Sequence, residues 1–501
     1  MILRKRKPGR DPRRFAAVGL ICLAVPAAAL AASDAEVLEP TTDFTKPERY
    51  ELLPAGAATS RKPVNANAFS HSSANMNFER ELDFKVGNGF FRKIWVSAPA
   101  STQASDGLGP LYNARSCQRC HLKDGRGHPP ANAQDDAVSM FLRLSIPPQT
   151  DEHRLALARG RASVIPEPTY GGQLQDFAIQ GHKAEGRMAI AYREIPVPLS
   201  GGESASLREP SYSVADPGFG PMHPDVMLSP RVAPQMIGLG LLEAVPEAQI
   251  LAYADPDDAD GDGISGKPNR VWSRALNRVA LGRFGWKAGN ATIPDQSAGA
   301  FAGDMGLSNP LFPDGAGECT ERQTACRAAP TGDSPQYENL EVPQQVLDLV
   351  VFYARNLAVP QRRDVADPDV LAGKRVFYES GCAACHRPKL ITRRDPPGMP
   401  EQSRQLIWPY TDLLLHDMGE GLADNRPEGR ADGREWRTAP LWGIGLTETV
   451  NGHTRFLHDG RARNLLEAIL WHGGEAEAAK RKVIDMPPRD RRNLLRFVGS
   501  L

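Results

Sequence analysis

Leu494, Leu495, Phe497, Val498 and Leu501 fall at helical spacing among arginines and other polar residues, so the C-terminal segment 489–501 predicts an amphipathic helix with one buried stripe. Residues 346–357 carry the same pattern and stop short of Pro360, which a helix does not pass. Gly373 and Phe377 share one face of a third predicted helix, which ends just before Cys382. Between these segments the periodicity fades into turn-forming sequence, with 43 Pro and 46 Gly in 501 residues, and long loops are expected. The one long apolar run, residues 15–30, follows Arg4-Lys5-Arg6-Lys7 and Arg13-Arg14 and ends in Ala29-Leu30-Ala31, which reads as a signal peptide over residues 1–31. It is short for a membrane span and nothing later is apolar enough, so the mature chain is expected to have no integral membrane span.

Cys-x-x-Cys-His occurs twice, as Cys117-Gln-Arg-Cys120-His121 and Cys382-Ala-Ala-Cys385-His386. Covalent c-type haem attachment needs this spacing: the two thiols add across the haem vinyl groups and the adjacent imidazole reaches the iron. Two haems c are therefore expected, with His121 and His386 as iron ligands. Zinc or a redox dithiol would explain one Cys-x-x-Cys, but not a His directly after the second Cys both times.

Of the seven cysteines, Cys22 falls in the leader and four belong to these motifs, leaving Cys319 and Cys326. An oxidising compartment favours a local disulfide between them, and the periplasm is the expected location. Loss of residues 1–31 removes seven basic and one acidic side chain from a balance of 60 against 60, giving a mature net charge of −6. Haem propionates would add to that, and no basic run points to nucleic acid.

Arg231-Val-Ala-Pro234-Gln-Met-Ile-Gly-Leu-Gly-Leu-Leu-Glu243 matches Arg437-Thr-Ala-Pro440-Leu-Trp-Gly-Ile-Gly-Leu-Thr-Glu448 with one gap. A duplicated haem unit is the simplest account, with the first copy enlarged by insertions. Residues 359–364 read as a linker, giving a first domain over 32–360 and a second over 365–501. One insertion, the acidic loop 255–269, alternates Asp258, Asp260 and Asp262 before Gly263, a spacing that lets carboxylates converge on calcium; Asn269 stands where an EF-hand loop would have its bidentate Glu.

The segment opening at Gly373 resembles the start of a class I cytochrome c domain. Gly107-Leu-Gly-Pro-Leu-Tyr-Asn-Ala-Arg-Ser-Cys117, Phe219-Gly-Pro-Met-His-Pro and Phe456-Leu-His-Asp-Gly-Arg-Ala resemble the bacterial dihaem cytochrome c peroxidase superfamily, above all its di-haem oxidoreductases, also labelled thiol oxidoreductases. The resemblance implies a mainly α fold of two cytochrome c-like haem domains, the first carrying loop-rich insertions. It implies catalytic roles for Trp286 between the haems, Gln296 ten residues later, and Asp304, followed by Met305, on the peroxide side of the first haem. Here Asp replaces the relatives' Glu, and Lys287-Ala-Gly replaces Asp-Gly-Arg. A carboxylate beside an open iron face can take a proton from one peroxide oxygen and deliver it to the other. Met418 matches the position of the relatives' distal Met on the second haem, with His416 and His458 as rivals; a thioether ligand raises the reduction potential. His128, Tyr212, Met222 and His223 are alternatives for the distal face of the first haem.

The expected function is a periplasmic dihaem oxidoreductase, reducing hydrogen peroxide with electrons passed from the second haem to the first. A small redox donor protein of cytochrome c or cupredoxin type is the expected partner. The alternatives are a dihaem oxidase of a protein or small molecule and a non-catalytic electron-transfer cytochrome.

Overall fold

Each predicted helix forms where the sequence places its signals. In the computed structural model, which describes Asp34 and residues 36–501 apart from 133–134 and 136–137, the segment 346–357 is α5 (Gln344–Arg355) and the terminal stripe is α7 (Pro488–Ser500). The helix before the second haem motif is α6 (Pro368–Glu379): Pro368 opens it, and the Asp367 carboxylate caps the amides of Asp369 and Val370. Further helices are α1 (Phe78–Arg92), the single turn α2 (Cys117–Cys120), α3 (Leu239–Glu243) and α4 (Ile293–Met305). The expected signal peptide lies outside the described residues.

The chain gathers into two units, Met1–Glu39 and Pro40–Leu501. Of the shorter one only Asp34 and residues 36–39 are described. Within Pro40–Leu501 the geometry around the first haem motif recurs, position for position, around the second. α1 crosses α5 at Gly87, where an added Cβ would lie 2.9 Å from the Tyr353 Cβ; α6 crosses α7 at Gly373, where it would lie 2.8 Å from the Phe497 Cβ. Four residues after each glycine stands an aromatic ring, Phe91 or Phe377, with its centroid 6.3 Å from that of the motif histidine, His121 or His386. Gly238 and Gly443, paired in the sequence repeat, both adopt left-handed φ (72° and 73°) at the start of a helical turn. Two residues on, Gly240 and Gly445 lie against the carbonyls of Arg355 and Gly499, in the last turns of α5 and α7. Backbone approach this close leaves no room for a side chain, which is why glycine recurs at these positions.

The expectation of a mainly α chain needs correction, because the protein is mixed, 31% helical and 18% strand. The strands form two-stranded antiparallel sheets. β1 (Met140–Ser145) pairs with β4 (Met227–Val232), β2 (Arg187–Leu199) with β3 (Glu203–Ala215), and β5 (Leu415–Asp417) with β6 (Glu435–Arg437). The 13-residue strands β2 and β3 escape sequence reading because only Leu199 and Leu207 in them are buried, and Pro196, Pro198 and Pro210 interrupt them. This hairpin reaches the second half of the chain, where Arg463 holds Glu194 and Arg491 holds Glu203.

Two apolar cores follow the repeat. The larger packs α1, α3, α4 and α5 together, and a second packs α6 and α7 with Trp408 and Tyr410. The segment expected as a linker is packed as well: Val359 is buried, and Arg362 forms a buried ion pair with Glu51, which also holds Lys374 of α6. Among the described residues no helix is long and apolar enough to cross a membrane.

Candidate functional site

The motif histidines are oriented alike. His121 follows the single turn α2, and its Nδ1 lies 2.8 Å from the carbonyl of Pro234, inside the first repeat segment. His386 follows a turn entered through Gly381 (φ 93°), and its Nδ1 lies 2.9 Å from the carbonyl of Tyr410. Anchoring Nδ1 leaves Nε2 as the nitrogen able to bind a metal. Burial pushes both imidazoles down to about 4, so they are neutral and able to bind a metal. Cys319 and Cys326 form a disulfide, and the four motif cysteines take no part in it. Burial, with the nearby Asp304 charge in the first case, pushes Cys117 and Cys382 up to about 12. Buried donors without partners stand nearby: Arg126 Nε, five residues after His121, Arg387 Nε, beside His386, and Trp408 Nε1, in the core that holds Cys382. Paired thiols, a neutral anchored imidazole and unsatisfied donors together fit a haem with acidic side chains at each motif.

Asp304 is brought to the first motif. It lies in the last turn of α4, whose end is fixed by Gly306 in the left-handed region (φ 68°). Its backbone carbonyl accepts the amides of Asn113 and Ala114 at 2.9 and 3.1 Å, tying α4 to the stretch that leads into Cys117. Its Oδ1 accepts the Gln173 side-chain amide at 2.9 Å. Burial pushes the carboxyl up from the usual range, against the opposing pull of Arg143 and Gln173, and its charge is felt by both Cys117 and Cys120.

Around it is a polar network that sequence reading missed. Gln173 also donates to Asn113 Oδ1, and the Asn113 amide reaches the carbonyl of Leu174 at 2.8 Å and Asp176 Oδ2 at 3.5 Å. Burial pushes Asp176 up to about 7. Gln173 Oε1, Gln175 Oε1 and Asp176 Oδ1 are buried acceptors without hydrogen-bond partners among the described residues, a set that can order water or a small polar guest. No sequence motif marks Gln173-Leu-Gln175-Asp176.

The other expected catalytic residues are placed differently. Trp286 Nε1 donates to the carbonyl of Val232 at 2.8 Å, two residues before the anchor of His121, and the Trp286 carbonyl accepts the Arg437 amide of the second repeat. Trp286 thus joins the two repeat segments. Gln296, in the first half of α4, accepts from the Asn290 amide at 2.9 Å and is not bonded to Asp304, about 12 Å further along the helix axis.

Met418 directly follows β5 and packs in one apolar cluster with Trp286, Trp436 and Trp471. His416 has both ring nitrogens engaged, Nδ1 with Glu475 at 2.6 Å and Nε2 with Asp412 at 2.9 Å, and lies 3.5 Å from Cys385 Sγ. Burial opposes its charge, but the two carboxylates dominate and hold its pKa well above the ordinary value. His458 stacks on Trp436 with centroids 3.7 Å apart, and burial pushes it down to about 3.

Of the alternatives for the first haem, His128 Nδ1 lies 2.9 Å from the carbonyl of Pro129, Tyr212 donates to Asp459 at 2.8 Å, Met222 packs against the Leu142 cluster, and His223 Nδ1 accepts from the Asp225 amide. In the acidic loop, ligand atoms of Asp258 and Asp260 converge with Asp255, all within 4.8 Å of one another. The Asp262 carboxylate instead accepts the amide of Ile264, and Asn269 donates to the carbonyls of Lys287 and Glu428.

A family model described as "Di-haem oxidoreductase, putative peroxidase" matches residues 54–501. No curated protein matches the chain. Among solved structures, hydrazine synthase of Kuenenia stuttgartiensis pressurised with xenon matches at 15% identity over 41% of this chain and 70% of that one. Its TM-score of 0.21 is too low to carry an argument about fold.

Proposed function

This chain belongs to the di-haem oxidoreductase family, and on that premise we propose that it reduces hydrogen peroxide in the periplasm, taking electrons from a small redox donor protein of cytochrome c or cupredoxin type. In this reading two haems are attached covalently, through Cys117 and Cys120 with His121 as ligand and through Cys382 and Cys385 with His386, in two cytochrome c-like domains over residues 32–360 and 365–501. When bound, the haems supply the redox chemistry, with electrons entering at the second, Met418-ligated haem and peroxide reduced at the first, one peroxide, two protons and two electrons giving two waters. The remaining work falls to the protein. Asp304 would take a proton from one peroxide oxygen and deliver it to the other. Gln173 aims the Asp304 carboxylate, and Asn113 connects Gln173 to Asp176, a second carboxyl of the same network. Trp286, bonded to both repeat segments, spans the contact between the two halves.

The observation that carries this reading is the half-buried Asp304, its carboxyl shifted upward beside the first motif and held by Gln173. Asp304→Asn keeps the shape and removes the proton carrier. Peroxide turnover with a reduced cytochrome c donor should fall by about 10²–10⁴-fold with haem content unchanged. Unchanged turnover would overturn the assignment of Asp304. Two low-spin haems inert to peroxide in the wild type would overturn the peroxidase reading itself and leave an electron-transfer protein.

A further inference from the structure

Away from Asp304, a cavity of about 200 Å³ opens between β3, β4 and two loops of the second half. Its wall includes Tyr212, Leu228, Asn425, His458 and Arg461, and none of the hydrogen-bond partners of Asp304 lines it. His458 stacks on Trp436, and its buried Nε2 has no hydrogen-bond partner among the described residues, with Asp459 Oδ2 3.8 Å away. Arg461 is 5% exposed; its Nε binds Asp459 at 2.7 Å and its Nη1 the carbonyl of Gly421 at 2.6 Å, while its Nη2 has no hydrogen-bond partner among the described residues. Asn425 is exposed, with a side chain that makes no hydrogen bond to the described residues.

Asp424 also lines the cavity, and the charges at and behind its wall do not balance. Lys287 and Arg231 pair with Asp424, Arg231 and Arg426 with Glu428, and Arg461 with Asp459, which sets four buried cations against three carboxylates. Arg143 adds positive potential at Glu428, and His458, being neutral, adds none. An uncompensated buried cation is costly, and a bound anion relieves that cost.

We propose that this cavity binds a small organic carboxylate, with its carboxylate on Arg461 Nη2 and the Asn425 amide and its apolar part against Leu228 and Pro230. At roughly 30 Å³ per water the space equals about six or seven waters, enough for one compact molecule. The β2/β3 hairpin forms one side, so ligand enters past Asn425.

The test is calorimetric titration of the holoprotein with sodium benzoate at fixed ionic strength, with benzamide as the neutral isostere. Benzoate should bind saturably, and at least about tenfold more tightly than benzamide, since one lost charge-assisted contact is worth about 1.5–3 kcal/mol. Leu228→Trp and Ala423→Trp each fill the cavity from a different wall, so at least one should fold. Either should abolish benzoate binding with the haem spectrum unchanged. The proposal is overturned if benzoate gives no saturable binding, which would mean the excess charge is already met within the holoprotein. Equal binding of benzamide, or full binding in the folded filled variants, would overturn it too.

Discussion

The side-chain amide of Gln173 donates to the carboxylate of Asp304 at 2.9 Å, across 131 residues of sequence. This bond favours the ionised carboxylate and so opposes the burial that raises its pKa. Both effects set the pH at which Asp304 can accept a proton. Peroxide turnover should therefore rise with pH through a limb above the usual Asp value of 3.8. In Gln173→Ala the limb should move further up, and in Asp304→Asn it should vanish. A limb that stays in place in Gln173→Ala would separate the pH dependence from Asp304.

Glu185 is fully buried, and burial raises its carboxyl from 4.5 to about 8. The folded protein then keeps a proton that the unfolded chain releases, so this stabilising contribution is complete below pH 4.5 and is lost as pH rises through about 8. Glu185→Gln should remove the loss, since Gln323 can turn its amide to present its carbonyl. Denaturant unfolding at pH 9 should show the variant more stable by about 2–4 kcal/mol, with little difference at pH 5.

Gly87→Ala and Gly373→Ala test the repeated helix crossing. Each methyl would press on the facing backbone, the carbonyl of Leu349 in one case and of Asn493 in the other. A cost of about 1–3 kcal/mol is expected for each, despite the gain in helix propensity. Gly89→Ala, on the same helix as Gly87 with open space around its position, should instead be neutral or stabilising in the same unfolding assay.

Met418 and His416 differ in availability. Both nitrogens of His416 are engaged by carboxylates, whereas the Met418 thioether lies in an apolar cluster. In a potentiometric titration, Met418→Leu should lower one of two midpoint potentials, because a thioether ligand raises it. His416→Gln should leave the axial ligand in place. A lost low-spin signal in His416→Gln with none lost in Met418→Leu would reverse the assignment.

How much was legible follows from the range of each signal. Asp367-Pro368 marks the start of α6 and the stripe 494–501 marks α7 because capping and helical periodicity act over a few residues. The repeat from Arg231 and Arg437 showed where the structure recurs, down to Gly238 and Gly443. The hairpin β2/β3 stayed hidden because its few buried residues, Leu199 and Leu207, are set among prolines and exposed polar residues.

The sequence by itself marked the two candidate haem motifs, since Cys-x-x-Cys-His lies within five residues, and the family resemblance picked out Asp304. Only the tertiary structure decided which groups Asp304 meets. Gln173, Asn113 and Asp176 come from separate loops, and Gln296, on the same helix, turns to Asn290 instead. Such encounters depend on how whole surfaces bury together and on each buried polar atom finding a partner. No short window of sequence encodes that, because the partners are brought into reach by packing between helices and loops far apart in the chain.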